Sequence, residues 1–180
     1  MRALVVYESM YGNTHVVASN IADGLRATHE VILVPVAGAT AELVASADLL
    51  VAGAPTHTHG LPRAATRRMA ADAASKNPSD QWLDPAIIGP GIRDWLGGLG
   101  GGHALAAAFD TRLNSLPLLS GRASRVIGRL LKRHGYRLVA VPESFFISQH
   151  TLLDGEASRA RSWGATLGAI ASNLSSPALA

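Results

Sequence analysis

Apolar runs that stop abruptly at turn residues recur along this chain, and each is followed by a stretch of helical periodicity. The runs are residues 3–7 (ALVVY), 29–37 (HEVILVPVA), 48–55 (DLLVAGAP), 103–110 (HALAAAFD) and 137–148 (RLVAVPESFFIS). They are mostly continuous and do not alternate with polar residues, which is how a strand reads when both faces of its sheet are covered. Helical patterns fall at residues 14–28, 41–47, 63–75, 91–99, 121–134 and 155–173. In the first of these, Val17, Ile21 and Leu25 recur at i, i+4 and i+8 along one face. Strands and helices in this order predict an α/β fold, a doubly wound five-stranded parallel sheet with helices on both faces. One domain over residues 1–174 accounts for the chain, and residues 175–180 (SSPALA) are expected to fray.

Composition narrows the chemistry. Without cysteine, disulfides, thiol catalysis, thiolate metal sites and iron–sulfur clusters are all removed. Only five apolar residues separate Arg2 from Glu8, too few for a signal peptide. The apolar stretch 31–55 is interrupted by Pro35, Glu42 and Asp48, and an acid at mid-membrane costs roughly 2.5–3.5 kcal/mol. A soluble, cytoplasmic protein is expected. The net charge of +3 is too small for a dedicated nucleic-acid binder.

In doubly wound sheets ligands bind beyond the carboxyl ends of the strands, where strand order reverses. Loops that follow strands are therefore the places to look. The glycine-rich "GGLGGGH" at 97–103 precedes the fourth strand and reads as a connector. Ser144 lacks the G-x-S-x-G elbow of a hydrolase. A response-regulator receiver would need acids at the end of the first strand and an Asp ending the third, but here the third ends at Gly53, Ala54 and Pro55.

The loop after the first strand, "SMYGNT", comprises Ser9, Met10, Tyr11, Gly12, Asn13 and Thr14 and leads directly into a helix. A helix N-terminus presents unpaired N–H groups and about half a positive charge, a site for an anion. The loop lacks the Lys of a triphosphate-binding G-x-x-x-x-G-K-[ST] motif and the G-x-G-x-x-G of a dinucleotide site. A single terminal phosphate remains. "SMYGNT" resembles the phosphate loop of flavodoxins, Ser/Thr-x-Ser/Thr-Gly-Asn-Thr, with Ser9, Gly12, Asn13 and Thr14 matching and Tyr11 at the second hydroxyl position. The resemblance implies strand order 2-1-3-4-5 and non-covalent FMN, with its phosphate at residues 9–14.

The same resemblance places the flavin ring between two further loops. "PTHTHG" (Pro55, Thr56, His57, Thr58, His59, Gly60) resembles the Pro-Thr-Arg-Phe-Gly loop of flavodoxin-like quinone reductases, with Pro55, Thr56 and Gly60 matching and His57 and His59 in place of the Arg and the aromatic. Imidazole can stack on a flavin or donate a proton near N5, so His57 and His59 are the first residues to mutate. No catalytic residue is assigned. The His-x-His pair has no Cys or nearby carboxylate to complete a metal site. After the fourth strand, Asp110, Thr111 and Arg112 take the position of the second ring loop, and Arg112 is expected to face the flavin N1–C2=O region.

Residues 121–134 carry Arg122, Arg125, Arg129, Lys132 and Arg133 with no acid, and Arg122, Arg125, Arg129 and Arg133 share one face. Such a face suits an acidic protein redox partner. NAD(P)H and quinone are the small-molecule alternatives that the quinone-reductase resemblance implies. Three functions follow: an FMN-dependent NAD(P)H:quinone-type oxidoreductase, an electron-transfer module, or a flavin-free binding module acting through the basic helix.

Overall fold

The computed structural model describes residues 1–57, 60–69, 84, 89–114, 121–148 and 151–175. Strand β1 (Arg2–Tyr7) lies between β2 (Glu30–Pro35) and β3 (Leu49–Pro55), all parallel, and β4 (Leu105–Leu113) continues the sheet beside β3. Val5 sits opposite Leu33 on one side and Val51 on the other. Successive residues of β1 serve opposite faces: Ala3, Val5 and Tyr7 join one core, Leu4 and Val6 the other. That is the reason its sequence is apolar without alternation.

The first core packs the sheet against α1 (Asn13–Leu25) and α6 (Glu156–Ser175), through Val17, Ile21, Leu25, Phe109, Phe145 and Leu167. The helices meet at two glycines. A Cβ added at Gly24 would lie 2.0 Å from the Arg161 carbonyl oxygen, and one at Gly164 would lie 2.2 Å from that of Ile21. The second core holds α4 (Ile92–Gly97) and α5 (Ala123–Arg133), through Ile92, Leu96, Ile127 and Leu131. Fully burying each such side chain contributes about 1.5–3 kcal/mol. A 3₁₀ turn at Val36–Gly38, the short α2 (Ala41–Ala45) and α3 (residues 64–69) complete the described helices. No helix among the described residues is long and apolar enough to cross a membrane.

The sheet order is β2-β1-β3-β4-β6-β7, so the 2-1-3-4-5 expectation holds, with a different strand count. The fifth strand is broken. Its pieces β5 (Arg137–Leu138) and β6 (Glu143–Ser148) both pair with β4 in parallel. The Val139 N–H still reaches the Ala106 carbonyl at 2.9 Å, but Pro142 has no N–H to donate and the chain leaves the ladder before it. A short β7 (Thr151–Leu152) then returns antiparallel against β6.

Candidate functional site

The loop after β1 folds around Gly12. Its φ of 84° lies in the left-handed region that side chains disfavour, and it is the N-cap of α1 without a side chain to cap it. The fully buried Ser9 hydroxyl accepts the Gly12 N–H at 3.1 Å and closes the turn. Tyr11, Gly12 and Asn13 are half-buried, whereas Met10 is buried. The first turn of α1 contains no acid, so its own side chains do not neutralise the positive end of the helix. The Thr14 hydroxyl shares a buried 2.8 Å hydrogen bond with that of Thr111 on β4. The phosphate-loop residues and the end of β4 are thus joined directly.

Beside this loop, the Pro55 end of β3 pairs with Thr111, and the Thr56 N–H donates to the Thr111 carbonyl at 2.8 Å. His57 and Gly60 exchange backbone hydrogen bonds of 2.9 and 3.1 Å, which closes a tight turn. Thr58 and His59 lie outside the described residues.

The expectation that Asp110, Thr111 and Arg112 form a loop needs correction. Strand β4 extends to Leu113, and all three residues are buried in it, at 0, 2 and 5 % exposure. Each side chain finds a partner that makes burial tolerable. Asp110 Oδ2 accepts the Ser124 N–H at 2.7 Å and the Thr56 hydroxyl at 3.1 Å, while Thr56 Oγ1 accepts the Ala123 N–H at 2.8 Å. Together Asp110 and Thr56 cap α5. Among the described residues, Asp110 Oδ1 is buried with no hydrogen-bond partner. The Arg112 guanidinium lies 4.7 Å above the Phe146 ring. Burial pushes its pKa down, against the opposing attraction of Asp110.

Two acids outside the predicted site residues border the phosphate loop. Glu8, immediately before Ser9, is 2 % exposed and accepts the Ile92 N–H of α4 at 2.9 Å, with Arg67 3.9 Å away. Burial raises its pKa, and the Ile92 N–H and Arg67 oppose the shift. Asp84 is buried over the loop, donating its N–H to the Met10 carbonyl at 2.9 Å, and its carboxylate lies 3.5 Å from His15 Nδ1. The His15 ring in turn stacks on Tyr7 at 4.6 Å. Burial, then Asp84, raises the Tyr7 pKa. A sequence-level signal existed for Glu8, an acid ending an apolar strand; none existed for Asp84.

A raised carboxyl pKa means that the folded state holds its proton more tightly than the unfolded chain. The contribution of Glu8 is then complete below its ordinary value of 4.5 and is lost as pH rises through the elevated folded value. Glu8→Gln keeps an oxygen for the Ile92 N–H and removes the titration. Urea unfolding at pH 4 and pH 8 should show the variant gaining stability relative to wild type at the higher pH. An equal difference at both pH values would contradict the assignment.

A cavity of about 800 Å³ opens at the opposite, amino end of the strands, among Val44, Trp95, His103 and Tyr136. Its lining includes the glycine-rich connector at 98–103 and none of residues 8–14, 55–60 or 110–112.

The flavodoxin family model matches residues 5–113, from β1 to the last residue of β4. This chain belongs to the flavodoxin family. A comparison with proteins of curated function returns no match. Among solved structures, Flavodoxin 1 from Bacillus cereus is 18 % identical with a TM-score of 0.65, covering 98 % of this chain and 100 % of that one. A WrbA-like flavodoxin from Agrobacterium tumefaciens is 22 % identical with a TM-score of 0.60, covering 96 % and 98 %. The rubredoxin oxygen:oxidoreductase of Desulfovibrio gigas is 16 % identical with a TM-score of 0.64, over 97 % of this chain but 37 % of that one. At these identities the structural likeness establishes the flavodoxin fold alone.

Proposed function

We propose that this flavodoxin-family protein binds FMN non-covalently and transfers electrons through it. The observation that carries the reading is the left-handed Gly12 turn at the start of α1, closed by Ser9 and without an acid in the first helical turn. These donors fit a phosphate monoester: hydroxyls at Ser9, Tyr11 and Thr14, the Asn13 amide, and the backbone at a helix N-terminus. The Thr14–Thr111 hydrogen bond uses one of that pair's two hydroxyl hydrogens and leaves the other to donate elsewhere.

Pro55, Thr56 and His57 border the ring position in this reading, with Thr58, His59 and Gly60 completing the loop. The Thr56 and Asp110 side chains are committed to the cap of α5, so they set the position of the loop backbone. Arg112 supplies a fixed positive charge behind it, held by Phe146. When bound, FMN supplies one- and two-electron chemistry, and the protein's part is to bind, orient and tune it.

The test is the absorbance spectrum of the purified protein, followed by titration with FMN while flavin fluorescence is recorded. Flavin bands, or saturable quenching at micromolar FMN or below, support the reading. A colourless protein indifferent to FMN refutes it. NAD(P)H oxidation with a quinone then distinguishes an oxidoreductase from a carrier that serves a protein partner.

A further inference from the structure

The basic helix presents a different set of cations from the one its sequence suggests. Arg122 is turned inward as the N-cap of α5, its Nε donating to the buried Ser144 hydroxyl at 3.1 Å. Arg125, Arg129 and Lys132 instead line one groove of about 490 Å³, with Gly128, Leu138 and Pro142. The groove exists because the fifth strand breaks before Pro142 and because position 128 is glycine. A Cβ there would lie 3.0 Å from Pro142 Cγ and 3.1 Å from Leu138 Cδ1.

Arg125, Arg129 and Lys132 are exposed, and none of them makes an ion pair or side-chain hydrogen bond among the described residues. Lys132, in the last turn, is favoured by the helix dipole. That explanation fails for Arg125, which lies in the first turn, at the positive end, where the helix itself carries no acid and the Asp110 carboxylate is committed to the Ser124 N–H. Arg125 and Arg129 are four residues apart on one helix face and repel each other. An anion in the groove relieves both effects. Beside the groove, Val141 is 80 % exposed, the most exposed large apolar side chain described.

We infer that this groove docks an acidic segment of a partner protein, with carboxylates on Arg125, Arg129 and Lys132 and an apolar residue against Val141, Leu138 and Pro142. A protein segment fits better than a nucleic acid because the lining residues include no aromatic ring on which a base could stack. The groove adjoins the site described above: the first N–H groups of α5 are held by Thr56 and Asp110. Docking itself does not depend on flavin, but its redox purpose rests on the FMN reading.

The experiment uses the full chain and a fluorescein-labelled twelve-residue peptide, three repeats of Glu-Glu-Leu-Glu, followed by fluorescence anisotropy at 50 and 150 mM salt. The variant Arg125→Glu/Arg129→Glu/Lys132→Glu should bind the peptide at least 20-fold more weakly than wild type. The control Arg26→Glu/Arg68→Glu/Arg161→Glu, with the same net charge, should stay within about threefold. Replacing the peptide leucines with serine, or Val141→Ser in the protein, should each weaken binding about fivefold. Equal losses in the two triple variants would overturn the proposal in favour of unspecific charge attraction. Absence of binding at 50 mM salt would overturn it outright. A twelve-nucleotide single-stranded DNA that binds as tightly, with the same variant dependence, would overturn it in favour of a nucleic-acid groove. If the groove triple does not fold by circular dichroism, Arg129→Glu alone should cost about fivefold. FMN titration of the groove variants separates the two readings. Wild-type flavin saturation with lost peptide binding locates the defect in the groove, whereas failure of wild type to bind FMN leaves the peptide result standing.

Discussion

Gly12→Asp should abolish useful FMN capture while leaving the fold in place. The position holds φ at 84° as the N-cap of α1, a conformation that Asp tolerates better than most residues, at a cost of roughly 1–2 kcal/mol. The larger effect falls on the ligand. A carboxylate at this turn opposes a phosphate dianion and takes up the N–H groups meant for it. Charge-assisted hydrogen bonds contribute about 1.5–3 kcal/mol each, so losing two raises the FMN dissociation constant about 10²- to 10⁴-fold. Gly12→Asn separates charge from shape and should lose less than about tenfold, the equivalent of roughly 1.4 kcal/mol. Flavin-fluorescence titrations of the three proteins decide the matter. Wild-type affinity in Gly12→Asp would mean that the phosphate is not held at this loop.

Gly164→Val should cause a large loss of stability. A Cβ at Gly164 would stand 2.2 Å from the Ile21 carbonyl oxygen and 3.0 Å from the Ile21 Cα. These are backbone atoms of a hydrogen-bonded helix, and no rotamer change relieves the contact. Overpacking typically costs about 1–3 kcal/mol, and here α1 and α6 must also separate, so about 3 kcal/mol or more is expected. Some of that loss would reach the candidate site, because α1 begins at the Gly12 turn. For a chain of this length each kcal/mol lowers the midpoint by about 2–4 °C, and thermal unfolding should drop by roughly 6–12 °C. A midpoint within 2 °C of wild type would refute the close helix contact.

The two predictions rest on features that differ in how far the sequence exposed them. Gly12 is readable because the motif around it is local: six consecutive residues set the turn, and the apolar run before them sets the strand. Residues 3–7, strand β3 and residues 105–109 of β4 are readable for the same reason, since burial on both faces leaves no polar residue to interrupt them. Gly164 is not readable. What demands glycine there is a helix more than a hundred residues earlier in the chain.

The end of β4 fails for a related reason. Asp-Thr-Arg looks like a loop, because polar residues are usually exposed. It is strand because Ser124, Thr14 and Phe146, each from a different element, satisfy the three side chains in turn. Only the assembled fold supplies those partners. The break in the fifth strand was legible in principle, since Pro142 stands inside the run. Its consequence, a groove against Gly128, was not.

The Asp110–Thr56 cap has a consequence for how two binding events would influence each other. One hydroxyl and one carboxylate tie the first N–H groups of α5 to the carboxyl ends of β3 and β4. Movement of either strand end therefore loads the same few hydrogen bonds that hold the helix. Any factor by which a ligand at the strand ends alters affinity along α5 must be returned, equal in size, by the occupant of α5 to that ligand. The protein would then report on both partners through one joint, and severing both of its ties with Thr56→Ala/Asp110→Ala would make the two equilibria independent.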